Sequence, residues 1–183
     1  MTLPPGDASD RLREIAASEG HSLTAYRYQR FAPHLFLWGA IWMVGYGASF
    51  IAPPGPVLWP ALVAIGMAGS FWMGRARTAR DAGIEGWRYG GTALAVFLFI
   101  WALLAIFRPT SGLQVAALIP LMIALLYTVQ GLWMRAARIT LLGVALGALT
   151  VGGYFWLAPS FLLLMAGAGG GGLILGGFWL RSI

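Results

Sequence analysis

Cysteine is absent from this chain of 183 residues, so no disulfide, thiol nucleophile or thiolate metal site can form. Lysine is absent as well, and all 12 basic residues are arginine. Histidine occurs only at His21 and His34. Charged residues make up 10% of the chain, against about 25% in soluble domains. With 59% hydrophobic residues and a mean hydropathy of +0.76, the composition argues against a soluble globular fold. The long apolar stretches carry no Asp, Glu, Lys or Arg in their interiors. Ionisable groups within a membrane mark proton relays, ion coupling and voltage sensing, so this scarcity weighs against a pump. No HExxH-type motif and no nucleophile motif with a base is present, which weighs against an intramembrane hydrolase. Haem between helices takes two axial histidines or a similar strong ligand, whereas His21 and His34 straddle Pro33. No catalytic residue, metal site or cofactor is expected.

What is present is a recurring hairpin. Three apolar stretches end in Ile51-Ala52-Pro53, Phe107-Arg108-Pro109 and Leu157-Ala158-Pro159. Each is followed by a second apolar stretch closing on Phe71-Trp72-Met73 with Arg75, Leu132-Trp133-Met134 with Arg135, or Phe178-Trp179-Leu180 with Arg181. Proline and tryptophan lie 19, 24 and 20 residues apart, about one membrane crossing each time. The expected fold is all-α: a polytopic transmembrane bundle of six helices built from three helical-hairpin repeats, at about 34–73, 92–134 and 139–180. Residues 1–33 form a cytoplasmic or interfacial segment, and 34–183 the transmembrane domain. Residues 1–8 are expected to be disordered around Pro4, Pro5 and Gly6, and a short helix to stop near Gly20, while Pro33 fits either a break or the first turn of the first span. Trp38, Trp42 and Tyr46, at steps of four, place an aromatic stripe on one face of the first span.

The net charge of +6 is spread along the chain rather than gathered in one patch. Arginines flank the spans, as topology determinants do, and this argues against nucleic acid as a partner. Eleven arginines fall on the side of the termini and the inner loops, and Arg108 alone on the other. The positive-inside rule then places both termini in the cytoplasm. The opening residues lack a basic region followed by an apolar core, so no signal peptide is expected. Trp72, Arg75, Trp133, Arg135, Trp179 and Arg181 are candidate interfacial anchors, and Arg27, Arg30 and His34 candidate contacts to lipid head groups.

Helices in lipid associate through small residues. Gly143-xxx-Gly147 and Gly172-xxx-Gly176 are the candidate packing faces, with the glycine run of span six expected to lie on span five. Tyr127 and Gln130 on span four, with Thr150 and Tyr154 on span five, are candidates for an intramembrane polar pocket. Pro120 leaves the carbonyl of Ala116 without its helical donor.

The outer-turn prolines Pro53, Pro109 and Pro159, the glycines Gly45, Gly131, Gly143, Gly147 and Gly176, and the closing tryptophans resemble the small six-span bacterial inner-membrane proteins of the HdeD acid-resistance type. The resemblance is architectural and covers residues 34–181. It implies a multi-pass protein of the bacterial inner membrane, non-enzymatic, with a role in stress tolerance. The expected function is structural, stress-related or accessory to a partner complex. The partners are the lipid bilayer and either a second copy or another membrane protein. A passive transporter or channel, and a regulatory module binding a cytoplasmic partner, are the alternatives.

Overall fold

The computed structural model describes the backbone of residues 5–78, 86–109 and 111–182, and the side chains of 25–73 and 94–182 except 97 and 110. The described chain is all-helical, without strands. Its six helices are α1 (Pro5–Ile51), α2 (Leu58–Thr78), α3 (Gly86–Phe107), α4 (Gly112–Trp133), α5 (Ala137–Trp156) and α6 (Ala158–Arg181). Four are long and apolar enough to cross a membrane: the Ala25–Ile51 part of α1, α4, α5 and α6. The apolar stretches of α2 and α3 are shorter, Leu58–Met73 and Leu94–Phe107. Large apolar side chains cover the outside of the bundle, among them Phe71, Trp101, Phe155 and Leu175. Soluble monomers avoid such surfaces, whereas lipid tails solvate them.

The bundle is arranged around α1. At 47 residues this helix is about 70 Å long, more than twice a hydrocarbon core of about 30 Å. It begins at Pro5 and continues through Gly20 and Pro33, so the expected disorder of residues 5–8 and stop near Gly20 are not found, and Pro33 is neither a break nor in a first helical turn. Residues 1–4 lie outside the described residues. Pro5 suits the first helical turn, where its missing N–H has no helical partner to lose. Pro33 removes one internal donor, but Tyr28, Ala32 and Leu35 beside it are buried against neighbouring helices. That packing holds the helix across the gap.

Three helices lie antiparallel on α1. Along α2, Trp59 meets Gly45, Gly66 meets Trp38, and Ser70 meets His34. Along α6, Gly170 meets Gly39 and Met43, and Gly177 meets Phe36. A Cβ on Gly39 would lie 2.7 Å from the carbonyl oxygen of Gly170, so only glycine permits this approach. The glycine run of α6 therefore packs on span one, not on span five as expected. A π turn, Met165–Gly170, fits one extra residue into the helix at this point and re-aims the face that follows. Gly167, Gly171 and Gly172 face open space, while Gly176 receives Leu142 of α5. Of the expected pair on α6, Gly176 thus faces a neighbouring helix, whereas a side chain at Gly172 would meet open space.

The closest antiparallel hairpin is α4–α5. Gly131 faces Thr140, Gly143 faces Thr128 and Ala124, and Gly147 faces Ala124. Glycine on one helix admits threonine from the other, at both levels of the hairpin. The threonine hydroxyls bond back to carbonyls of their own helices, Thr128 to Ala124 at 2.8 Å, so they enter the interface without an unpaired group. Among the described residues α3 lies mainly on α2, and its stretch 94–107 has no glycine through which α4 could approach.

Contact between α1 and α4 is made by long side chains. Pro120 is buried within α4 and has no N–H for the carbonyl of Ala116. Tyr46 of α1 supplies the missing donor: its hydroxyl donates to the Ala116 oxygen at 2.8 Å. Tyr46 is held in place by Trp42 and Trp59, whose rings meet it edge-on at 5.8 and 4.9 Å. Trp42 and Tyr46 of the expected stripe are buried, and Trp38 is half-buried.

Tyr46→Phe should destabilise the bundle by about 1.5 kcal/mol, because it leaves a carbonyl unpaired in apolar surroundings. Pro120→Ala on the same background should recover most of that loss by restoring the helical donor. A double-mutant cycle of detergent-induced unfolding measures this coupling, and strictly additive effects would refute the link. Gly143→Leu should force α4 from α5 and lower stability by about 1–3 kcal/mol.

Candidate membrane-interface site

The turn from α4 to α5 is three residues long, Met134 to Ala136. A turn this tight leaves carbonyls of one helix and N–H groups of the next unpaired. α4 closes with a Schellman arrangement: Ala136 N–H donates to Gly131 O at 2.8 Å and Arg135 N–H to Leu132 O at 3.1 Å. The arrangement requires a left-handed residue, usually glycine, and here it is Arg135 at φ 49°. Arg27 of α1 then donates to the carbonyl of Met134 at 2.7 Å. This sets a cation at the negative end of α4. α5 starts with Ala136 at the cap position, which has no side-chain acceptor. The acceptor comes from α1: the hydroxyl of buried Tyr28 receives the N–H of Arg138 at 3.3 Å. Neighbouring residues of α1 thus cap both sides of the turn.

Arg138 also ties α5 to the end of α6. Its guanidinium donates to the carbonyl of Trp179 and, at 3.1 Å, to the hydroxyl of Ser182. It lies 5.1 Å from the Trp179 ring and 5.9 Å from the Tyr28 ring, both within cation–π range. Arg181 stacks 4.8 Å from the ring of Phe36. Arg27, Arg135, Arg138 and Arg181 therefore gather at one end of the bundle, with the tryptophans. Trp72 is 78% exposed and Trp133 87%, both turned outward, while Trp179 lies partly beneath Arg138. The side chain of Arg75 lies outside the described residues. Arg108, the other left-handed arginine (φ 41°), belongs to the opposite end, at the start of the α3–α4 turn.

The expected head-group contacts are arranged differently from the sequence reading. Arg27 is turned inward to the α4 terminus. His34 places Nδ1 3.3 Å from the Ser70 hydroxyl, which also accepts from Trp38 Nε1 at 3.2 Å. No motif announced this serine–histidine contact. The tryptophan donor engages the serine oxygen, and the group joins α1 to α2. Arg30 is half-buried one turn away.

The four expected pocket residues do not converge. Tyr127 packs edge-on against Phe31 of α1, centroids 5.2 Å apart. Gln130 is half-buried near the basic end of α4. Thr150 is buried and donates to Leu146 O at 2.7 Å. Tyr154 lies against Phe155 and Phe161. With Gly143 level with Thr128, Gln130 and Tyr154 are roughly 20 Å apart along the hairpin. The antiparallel register separates them, since each pair lies towards a different end. A groove of about 340 Å³ does run along α4 and α5. Leu118, Leu121, Leu125, Thr128, Gly143 and Val144 line it, and none of the four does.

What the sequence did not show is the partners of Tyr28, Arg138 and Ser70. Tyr28 and Arg138 are 110 residues apart, and no spacing rule links them. Ala136 at a helix start, without a capping oxygen, was the one local hint.

Arg27→Gln should weaken amide protection over residues 131–138 by about 1.5 kcal/mol, because a hydrogen bond from a charged donor is lost. Tyr28→Phe should cost about 1 kcal/mol over the first turn of α5. Hydrogen exchange in detergent or nanodiscs reads both effects, and unchanged protection would show that α1 does not hold this turn.

No known protein family, curated protein or solved structure matches the chain.

Proposed function

We infer that the chain is a non-enzymatic, multi-pass protein of the bacterial inner membrane. In this reading it has six spans and cytoplasmic termini, and serves a structural or stress-related role, or an accessory role to a membrane partner. The observation that carries the reading is the use made of polar side chains. Tyr28, Tyr46, Thr150, Ser70 and Arg138 each complete a backbone or interhelical link. Polar groups spent in this way stabilise a packed bundle and do not line a path for a solute.

Six crossings are supported by the course of α2 and α3. α1 ends, and α4 begins, at the end of the bundle opposite the arginine cluster. α2 follows α1 from the level of Ser49, which accepts from Trp59 Nε1, to that of His34. This is about 22 Å of helix, close to a full passage, and α3 returns. The orientation is supported by the arginine cluster, which the positive-inside rule puts on the cytoplasmic side.

Single cysteines at Ser111 and Ser160 should react in intact cells with an impermeant thiol reagent, and one at Thr78 should not. Labelling at Thr78 would overturn the orientation. Reconstituted protein should not raise the release of small solutes above that of protein-free liposomes. Release that falls when Gln130 and Thr150 are replaced would favour a passive transporter instead.

A further inference from the structure

Among the residues whose side chains are described there are six arginines and no carboxylate. All six acidic residues of the chain lie in segments 1–24 and 74–93. Over the whole sequence twelve arginines stand against six carboxylates, so even complete pairing leaves six positive charges without a counter-ion from the chain. Among the described residues three arginines come together where α4 ends. Arg27 reaches the carbonyl next to Arg135, and Arg138 follows three positions later. Like charges so close destabilise one another, and an anion placed among them would remove that cost.

Arg135 is the telling member. It stands in the left-handed region at a position where glycine is unstrained and ordinary residues are not. It is exposed, and beside it Trp133 projects outward, a residue type suited to a membrane interface. Arg108 shares this backbone, but of the two only Arg135 stands next to a carbonyl already engaged by a second arginine, Arg27. The neighbouring Arg138 is already fixed by Trp179 and Ser182, which presets one wall of a site.

We propose that the α4–α5 turn binds the phosphate of an anionic phospholipid. Arg135 is the principal contact, Arg27 and Arg138 supply a fixed positive field, and Trp133 lies beside the glycerol and acyl ester. Arginine favours phosphate because its planar fork donates two parallel bonds. The inference rests on the membrane reading above, and the test separates the two.

The full-length protein, delipidated in detergent, is titrated with phosphatidylglycerol or phosphatidylcholine and followed by native mass spectrometry. Wild type should bind phosphatidylglycerol more tightly than phosphatidylcholine. Arg135→Gly keeps the left-handed turn and removes the charge, and should weaken phosphatidylglycerol binding about fivefold. Arg108→Gly makes the same change at the opposite end and should leave binding unchanged. Equal losses in both variants, or none in Arg135→Gly, would overturn the site. So would displacement of the lipid by free glycerol phosphate at comparable concentration, which would make it a site for soluble phosphate. If Arg135→Gly does not fold, Arg135→Asn carries the same comparison, since asparagine also tolerates the left-handed region. Insertion into phosphatidylcholine vesicles is scored separately. A chain that inserts but does not select anionic lipid overturns the site alone, and one that fails to insert overturns the membrane reading.

Discussion

A backbone polar group left unpaired in an apolar surrounding has no water to turn to, and this constraint governs how the bundle is joined. The α4–α5 hairpin has three such defects: the Ala116 carbonyl below Pro120, the C-terminus of α4, and the N-terminus of α5. Each is repaired by a side chain of α1, through Tyr46, Arg27 and Tyr28 in turn. α1 and the hairpin are thus held by a few directed bonds at defined heights. These bonds set register more sharply than a smooth apolar contact would.

The other contacts follow a different rule. Where α1 meets α6, and α4 meets α5, backbones approach across glycine, and dispersion between close surfaces replaces the hydrophobic effect that lipid abolishes. Gly39 against Gly170 and Gly143 against Thr128 are the narrowest points. The molecule therefore combines two joints, close-packed and hydrogen-bonded, with α1 common to both. α3 uses neither among the described residues and lies at the margin.

At the basic end the directed bonds come from arginine. Arginines there serve as helix caps. Arg27 and Arg138 bind helix C-terminal carbonyls, so their charge complements the ends of the helix dipoles. The same groups create a positive field that the described part of the chain does not neutralise.

Long apolar runs, prolines at the turns and flanking arginines made the helical class, the presence of membrane-length spans and the sharp α4–α5 turn legible from residue order alone. Each depends on local composition: a helix must satisfy its own backbone in lipid, and an arginine must stay near water. The polarity of Tyr127, Gln130, Thr150 and Tyr154 was legible in the same way, but not their separation, because antiparallel register is fixed by which glycine meets which threonine. Partner choice was equally hidden. The glycines of α6 announced a close neighbour, yet only the π turn and the long reach of α1 made that neighbour span one. Pro120 announced an unpaired carbonyl, and only the packing of α1 against α4 determined that Tyr46, 70 residues away, would pair with it. Tertiary structure decides such pairings because complementarity of shape and donor depends on both helices at once, and no segment carries it alone.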